Sequence, residues 1–297
     1  MTVQPILITG ASGLLGGALT AEYEAMPIPV IPLHGIGDGD LTDPQVVERL
    51  METYQPSAVI HCAALTDVDF CESHASAAWQ MNVEVSGQLA ACCAVSGARF
   101  VYISTDSVFD GTRGNWRESD APSPCNIYAR SKREAEIAVR HECPDSLIVR
   151  TTIYGWHSHR KLHRKPSLAE WILERLEAGL EVPGFTDVIF SPILVNHLAA
   201  PILQLLREGY SGIFHVAGSW SGSKYEFAAR LAETFEFDRN DILPAKLEGA
   251  TLKAPRPLDT SLDVRKVSRV LNLQMPGLDE GLHRFRVLRT SKELAYA

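Results

Sequence analysis

No run of apolar residues in this 297-residue chain approaches the roughly 18 needed for a membrane-spanning helix. Basic residues are in deficit. Lys and Arg number 28 against 36 Asp and Glu, leaving a net charge of −8 and a pI near 5.7. That sign disfavours nucleic acid or an anionic membrane as the main partner. The start, MTVQPILITG, shows no basic stretch and no cleavage site, so no export signal is expected and the cytoplasm is the expected compartment. Six cysteines (Cys62, Cys71, Cys92, Cys93, Cys125, Cys143) lack any paired metal-ligand spacing, and no metal centre is expected. Several lie inside apolar runs, where a free thiol behaves as a small hydrophobe. Neither an internal repeat nor a low-complexity tract is visible. What the chain does have is 45% hydrophobic residues, enough for one large domain or two unequal ones.

Residues 5–17, PILITGASGLLGG, run from an apolar strand into glycines at Gly10, Gly13 and Gly16, with a helix expected over 14–26. A strand, a tight glycine turn and a helix start make a phosphate site: glycines admit a pyrophosphate, and the helix end offers unpaired N–H groups. Ser12, Leu14 and Leu15 complete that candidate turn. The spacing is G-x-x-G-x-x-G, not the G-x-G-x-x-G fingerprint. A second strand is expected over 28–33. Where an NAD-selective site would carry an acid, His34 and Gly35 stand, and no arginine marks a 2′-phosphate site. The missing acid leans the choice towards NADPH over NADH. Asp40 and Leu41 follow, Asp40 reading either as an adenine contact or as a turn carboxylate. Asp43-Pro44 then opens a helix over 45–54.

Residues 58–62, AVIHC, form a short buried strand ending in Cys62, Ala63, Ala64 and Leu65, small enough at the alanines for a flat ring to pass. The stretch 66–72, TDVDFCE, reads as a polar loop at a strand's C-terminal end, where open α/β sheets place ligands. Asp67 and Val68 there are candidate substrate contacts. A helix is expected over 73–95, with Asn82 as a backbone brace or a plain interior polar residue. A strand over 99–104 ends in Ser104, Thr105 and Asp106, either an ordinary turn or a place where a hydroxyl can hydrogen-bond a substrate carbonyl, with Asp106 and Ser107 as candidate substrate contacts.

Tyr128 and Lys132 stand four apart in NIYARSKREAE (126–136), a spacing that stacks both on one helix face. A phenol, with a reference pKa of about 10, is a poor acid near neutrality. An ammonium beside it would lower that value and make the tyrosine a proton donor. Thr105, Tyr128 and Lys132 are therefore the candidate catalytic set. A strand over 146–150 completes a β-α-β-α-β-α-β-α-β pattern, read as a doubly wound parallel α/β sheet.

Residues 157–165, HSHRKLHRK, crowd four Lys or Arg and three His into nine positions, as a cationic flap for a diphosphate or a solvated surface loop. Helices are expected over 167–179, 197–208, 222–235, 261–271 and 278–289. Strands over 188–195 and 213–217 are expected to return to the sheet.

ITGASGLLG, STDSVFDG (104–111) and YARSK (128–132) together resemble the extended short-chain dehydrogenase/reductases, in particular the dTDP-4-dehydrorhamnose reductase branch. The similarity includes DL-x-D at Asp40, Leu41 and Asp43, and Ala63-Ala64 followed by Thr66, Val68 and Asp69. It includes Glu118, Asp120 and the prolines before Tyr128, and the segment from Arg256 to Asp263. The resemblance implies a Rossmann-type sheet with a small C-terminal substrate-binding lobe. The lobe would comprise residues 153–186 and 221–297, and the dinucleotide-binding domain residues 1–152 and 187–220. It implies reduction of a keto group on a nucleotide-linked sugar by NAD(P)H. Thr105 would be carbonyl donor, Tyr128 proton donor, and Lys132 both pKa tuner and ribose ligand.

Ser107 stands where the family has tyrosine. RTTIYG (150–155) is one residue short and lacks the family tryptophan, for which Trp156 is a candidate substitute. With Arg256, these positions bear on the substrate. A small molecule is the expected partner, with a homodimer left open. Two other readings compete: a dinucleotide-binding regulatory subunit like the methionine adenosyltransferase β subunit, and a nucleotide-sugar epimerase or dehydratase. The latter is weakened because Asp106 is not followed by glutamate.

Overall fold

A computed structural model describes residues 4–157 and 165–295, with side chains up to 289. Of the basic stretch 157–165, His157 and Lys165 fall within the described residues; the expected flap or loop lies otherwise outside them.

The first half alternates strand and helix. β1 (Ile6–Thr9), α1 (Leu14–Glu24), β2 (Val30–Leu33), α2 (Pro44–Tyr54) and β3 (Ala58–His61) come first. Next are α3 (Val68–Ser73), α4 (Ala75–Trp79), α5 (Val85–Ser96), β4 (Arg99–Thr105), α6 (Ile127–Glu142) and β5 (Leu147–Thr151). Beyond lie β6 (Ile153–Tyr154), α7 (Leu168–Glu177), β7 (Val182–Phe185), β8 (Ile189–Phe190), β9 (Ile193–Leu194) and α8 (Ala199–Arg207). β10 (Gly212–His215), β11 (Gly222–Ser223), α9 (Lys224–Thr234), β12 (Ile242–Ala245), α10 (Arg265–Leu271) and α11 (Leu278–Ala295) close the chain.

Six strands form one parallel sheet in the order β10-β5-β4-β3-β1-β2. The order reverses at β1, whose neighbours are β2 on one side and β3 on the other, which opens a crevice beyond the carboxyl ends of β1 and β3. Both sheet faces are covered, so these strands are apolar runs rather than alternating ones. Ile6, Ile8, Ile60 and Val149 pack on the face of α1 and α8, whereas Leu7, Val59, Phe100 and Ile148 pack on the face of α2, α5 and α6. Each such fully buried side chain stabilises the fold by about 1.5–3 kcal/mol. A separate core gathers Tyr154, Ile172, Phe190, Phe227, Leu231 and Phe285 from the later segments.

Three expectations need correction. The stretch 66–72 is not a loop: Asp67 accepts the N–H of Phe70 at 3.1 Å and starts α3 at once. The single helix over 73–95 is broken at His74 and carries a π-turn at Gln80–Glu84, which holds Asn82. The strand over 188–195 splits into β8 and β9, and neither joins the main sheet: β8 pairs with β11 and β9 with β6. Pro192 sits at the break and has no N–H to donate to a ladder. β10 does return, parallel to β5.

Candidate active site

The glycine turn closes tightly. Gly10 has φ of +67°, and a methyl group there would lie 2.7 Å from the backbone nitrogen of Ala63. A methyl at Gly13 would stand 3.0 Å from the carbonyl of Gly10, and one at Gly16 would collide with that same carbonyl. Gly13 caps α1 with no side-chain hydrogen bond, and the first turn holds no acid. The amides of Leu14, Leu15 and Gly16 thus open onto the crevice with the positive end of an 11-residue helix behind them. Free amides at a helix start suit a pyrophosphate, and the glycines are needed because a side chain at Gly10 or Gly16 would collide with backbone.

Around it, Ser12 Oγ donates to the carbonyl of His34 at the end of β2. Asp38, which sequence reasoning missed, bends back so that its carboxylate accepts the His34 N–H at 2.6 Å. An acid therefore does stand at the end of β2, four residues later than the strand register suggests. Asp40 holds Thr42 through its N–H (3.0 Å) and hydroxyl (2.7 Å), and these bonds hold its carboxyl below the usual range. It is a turn carboxylate, and Leu41 is buried in the core under α2.

At the end of β3, His61 links two strands. Its Nδ1 lies 2.7 Å from Thr9 Oγ1 and its Nε2 3.1 Å from Ser86 Oγ, while Thr9 Oγ1 accepts the Ala63 N–H at 3.2 Å. Burial, with the nearby Lys132 charge, pushes its pKa down to about 3, so it is neutral. A histidine closing an apolar strand was the available signal. Burial raises the Cys62 thiol to about 12, so it is inert. Asn82 accepts the N–H of Leu65 at 2.8 Å, and donates to the Leu65 carbonyl at 3.1 Å and to Ser131 Oγ at 2.9 Å. It braces the strand end, beside Ala64, against α6.

Asn126 starts α6 by accepting the Ala129 N–H at 2.8 Å, and its amide donates to the Pro255 carbonyl at 3.0 Å. That cap fixes where Tyr128 and Lys132 project. The Tyr128 phenol faces Thr105 closely enough for the hydroxyl contact to lower its pKa, but burial outweighs this and holds it above the usual range. The expected lowering by Lys132 is absent. Lys132 Nζ instead donates to the Ile103 carbonyl at 2.7 Å and lies 4.1 Å above the Tyr102 ring. Burial brings its pKa down to about 7, against the opposing pull of Glu136.

Beneath it, Glu136 takes two bonds from Arg150 (2.8 and 2.7 Å) and one from Ser104 Oγ (2.6 Å), all buried. Such a pair is strongly destabilising when one partner is removed.

The candidate substrate contacts are met largely by the chain's later segments. Asp106 accepts from Thr105 Oγ1 (3.1 Å), Ser107 Oγ (3.2 Å) and Thr260 Oγ1 (2.7 Å), yet burial raises its pKa. Thr260 lies in the Arg256–Asp263 segment, but its pairing with Asp106 is not legible in the sequence because the two are 154 residues apart. Arg256 Nη2 donates to Asp69 at 3.0 Å, and Asp69 also accepts the Ala254 N–H at 3.0 Å. Asp67 pairs with Lys165, which holds its carboxyl low; Val68 follows as the first residue of α3. Trp156 is elsewhere: its Nε1 donates to the Phe285 carbonyl at 2.8 Å, and its ring stacks on Phe285 with centroids 4.2 Å apart. It belongs to the second core, not to the group around Thr105.

The model for the RmlD substrate binding domain matches residues 4–288. The chain belongs to that family. Among curated proteins, this RmlD-family chain is 35% identical over 289 residues to a probable low-salt glycan biosynthesis reductase, Agl14, of Haloferax volcanii, covering 93% of this chain and 95% of that one. It is 32% identical over 292 residues to methionine adenosyltransferase 2 subunit beta of Bos taurus, covering 88% and 81%. Among solved structures it superposes on dTDP-4-dehydrorhamnose reductase from Bacillus anthracis in complex with NADP. The TM-score is 0.89 at 30% identity, over 96% and 99% of the chains. The sheet is thus a Rossmann-type sheet of the kind seen in that reductase.

Proposed function

We propose that this protein is an NAD(P)H-dependent oxidoreductase of the extended short-chain dehydrogenase/reductase type that reduces a keto group on a nucleotide-linked sugar. The observation that carries this reading is the convergence of Thr105, Tyr128 and Lys132 beside the crevice that the glycine cradle opens onto. In support, the relatives include reductases, and one is described in complex with NADP. Residues 1–152 and 187–220 would hold the dinucleotide; residues 153–186 and 221–297 would form the substrate lobe.

A bound nicotinamide would supply the hydride. The chain's own residues do the rest. The glycine turn and the α1 amides hold the pyrophosphate, and Ala63 and Ala64 leave room for a flat ring. Tyr128 carries the proton that the reduced carbonyl oxygen takes up, and Thr105 orients that oxygen. In the free protein the Thr105 hydroxyl gives its one proton to Asp106, so to orient the substrate oxygen it must turn from that carboxylate. Burial keeps Tyr128 protonated at neutral pH but makes it a weaker acid, so donation depends on stabilising the phenolate it leaves. A phenolate left behind needs a nearby cation, and Lys132 can serve once its ammonium turns from the Ile103 carbonyl towards a ribose and the tyrosine. Asp38 removes the premise of an NADPH preference, so the proposal names NADH or NADPH.

A second reading, a dinucleotide-binding subunit without turnover, rests on the similarity to methionine adenosyltransferase 2 subunit beta. Fluorescence titration with both cofactors, followed by absorbance of the reduced nicotinamide over a panel of dTDP- and UDP-linked keto sugars, separates the two. Oxidation of the cofactor supports the reductase. Tight binding without turnover on any member supports the subunit.

A further inference from the structure

Away from the crevice, five cations line one open cavity of about 860 Å³ along the outer edge of β10: Arg117, Arg140, Arg265, Lys266 and Arg269. The cavity is distinct from the candidate active site. Arg140 lies twelve residues beyond Tyr128 on α6, about 18 Å along the axis at 1.5 Å per residue.

Two acids share the cavity, and both are already engaged. Asp263 accepts from Arg265 Nε at 2.9 Å and Nη2 at 2.5 Å, and lies 3.6 Å from Arg117. Glu118 accepts the His215 N–H at 3.0 Å, closing one stretch of the sheet edge. Lys266 Nζ closes another by donating to the Ile213 carbonyl at 2.5 Å, and rests 4.0 Å above the Phe214 ring. Arg140 and Arg269 make no ion pair or hydrogen bond among the described residues. A surplus of three positive charges is therefore concentrated here, in a chain whose net charge is −8.

Like charges repel, and burial, against the opposing pull of Glu118 and with the help of Arg269, holds the Lys266 pKa below its ordinary value. An anion in the cavity would relieve both. Guanidinium forks match phosphate oxygens in pairs. Among the described residues no aromatic ring lines the cavity, so none of them would stack on a nucleobase there. We propose that this cleft is a second, non-catalytic binding site for a compact phosphate-bearing polyanion, read through Arg140, Arg269 and Lys266. Free polyphosphate and the phosphate end of a nucleotide share this chemistry.

The test is calorimetric titration of the full chain, first saturated with NADPH to fill the glycine cradle, with sodium tripolyphosphate and separately with dTTP at constant ionic strength. Saturable one-to-one binding of tripolyphosphate is expected. It should weaken at least tenfold in the double variant Arg140→Gln, Arg269→Gln, while NADPH affinity is unchanged. Similar affinity for dTTP would mean that only the phosphates are read. Three results would overturn the assignment: no saturable binding, equal binding by parent and variant, or arginine-dependent binding of dTTP more than tenfold tighter than tripolyphosphate.

Discussion

The two sides of the crevice are built in different ways. On the cofactor side, one continuous stretch of about ten residues makes the cradle from backbone: a strand, three glycines and the start of α1. On the other side, Asp106 is paired with Thr260 and Asp69 with Arg256, across segments up to 187 residues apart. A backbone site is hard to alter without abolishing it, because a side chain at Gly10 or Gly16 would collide with the backbone that shapes the turn. A side-chain site assembled from distant segments can be retuned one residue at a time.

The largest effect is expected at the glycine turn. Gly16→Val should abolish detectable binding of NADH and NADPH in a fluorescence titration, because the new side chain meets the Gly10 carbonyl. Retained binding would show that the cradle does not hold the pyrophosphate. Next in size, Tyr128→Phe should lower turnover on the order of 10²–10⁴-fold with cofactor affinity intact. Parallel loss of both would make the residue structural.

Glu136→Ala leaves Arg150 buried and uncompensated, and should cost about 3–5 kcal/mol in urea unfolding. A smaller cost would mean that water reaches the pair. The lysine above it behaves oppositely. The folded-state pKa of Lys132 is lowered to about 7, so the unfolded chain binds more protons from there up to its ordinary value. The cost of burying the lysine is full below pH 7 and fades as pH rises through that window. Lys132→Met should therefore raise stability more at pH 6 than at pH 9.5, while lowering turnover. An equal effect at both pH values would contradict the burial.

Smallest are the retuning changes. Thr260→Val takes one of three hydrogen bonds from buried Asp106 and should cost about 1–3 kcal/mol. Asp38→Ala should shift the ratio of NADPH to NADH affinity towards NADPH by up to about tenfold, or 1.4 kcal/mol. No shift would free the end of β2 from any role in cofactor choice.

Much of the cofactor side was legible in the sequence because its determinants are local. The glycine turn, the Asp43-Pro44 start of α2 and the Tyr128–Lys132 spacing each lie within a few residues. What escaped depends on tertiary context. The π-turn around Asn82 is held by Leu65 and Ser131, and nothing within 73–95 announces it. Asp38 reaches the end of β2 only because glycines at 35, 37 and 39 let the chain fold back, with Gly35 and Gly39 at positive φ. Trp156 looked like a substrate contact from its position in the chain, but Phe285, 129 residues later, takes its indole N–H. The Tyr–Lys pair was legible as a spacing but not as an electrostatic pair, since the Ile103 carbonyl competes for the ammonium.

The central claim is that the cradle and the Thr105–Tyr128–Lys132 group act on one substrate in one crevice. The most direct test is a single-turnover measurement of nicotinamide oxidation with a dTDP-linked keto sugar, comparing the parent chain with Tyr128→Phe at equal cofactor saturation. Oxidation by the parent and a loss of at least a hundredfold in the variant is the predicted result. Oxidation at equal rates in both would contradict the account.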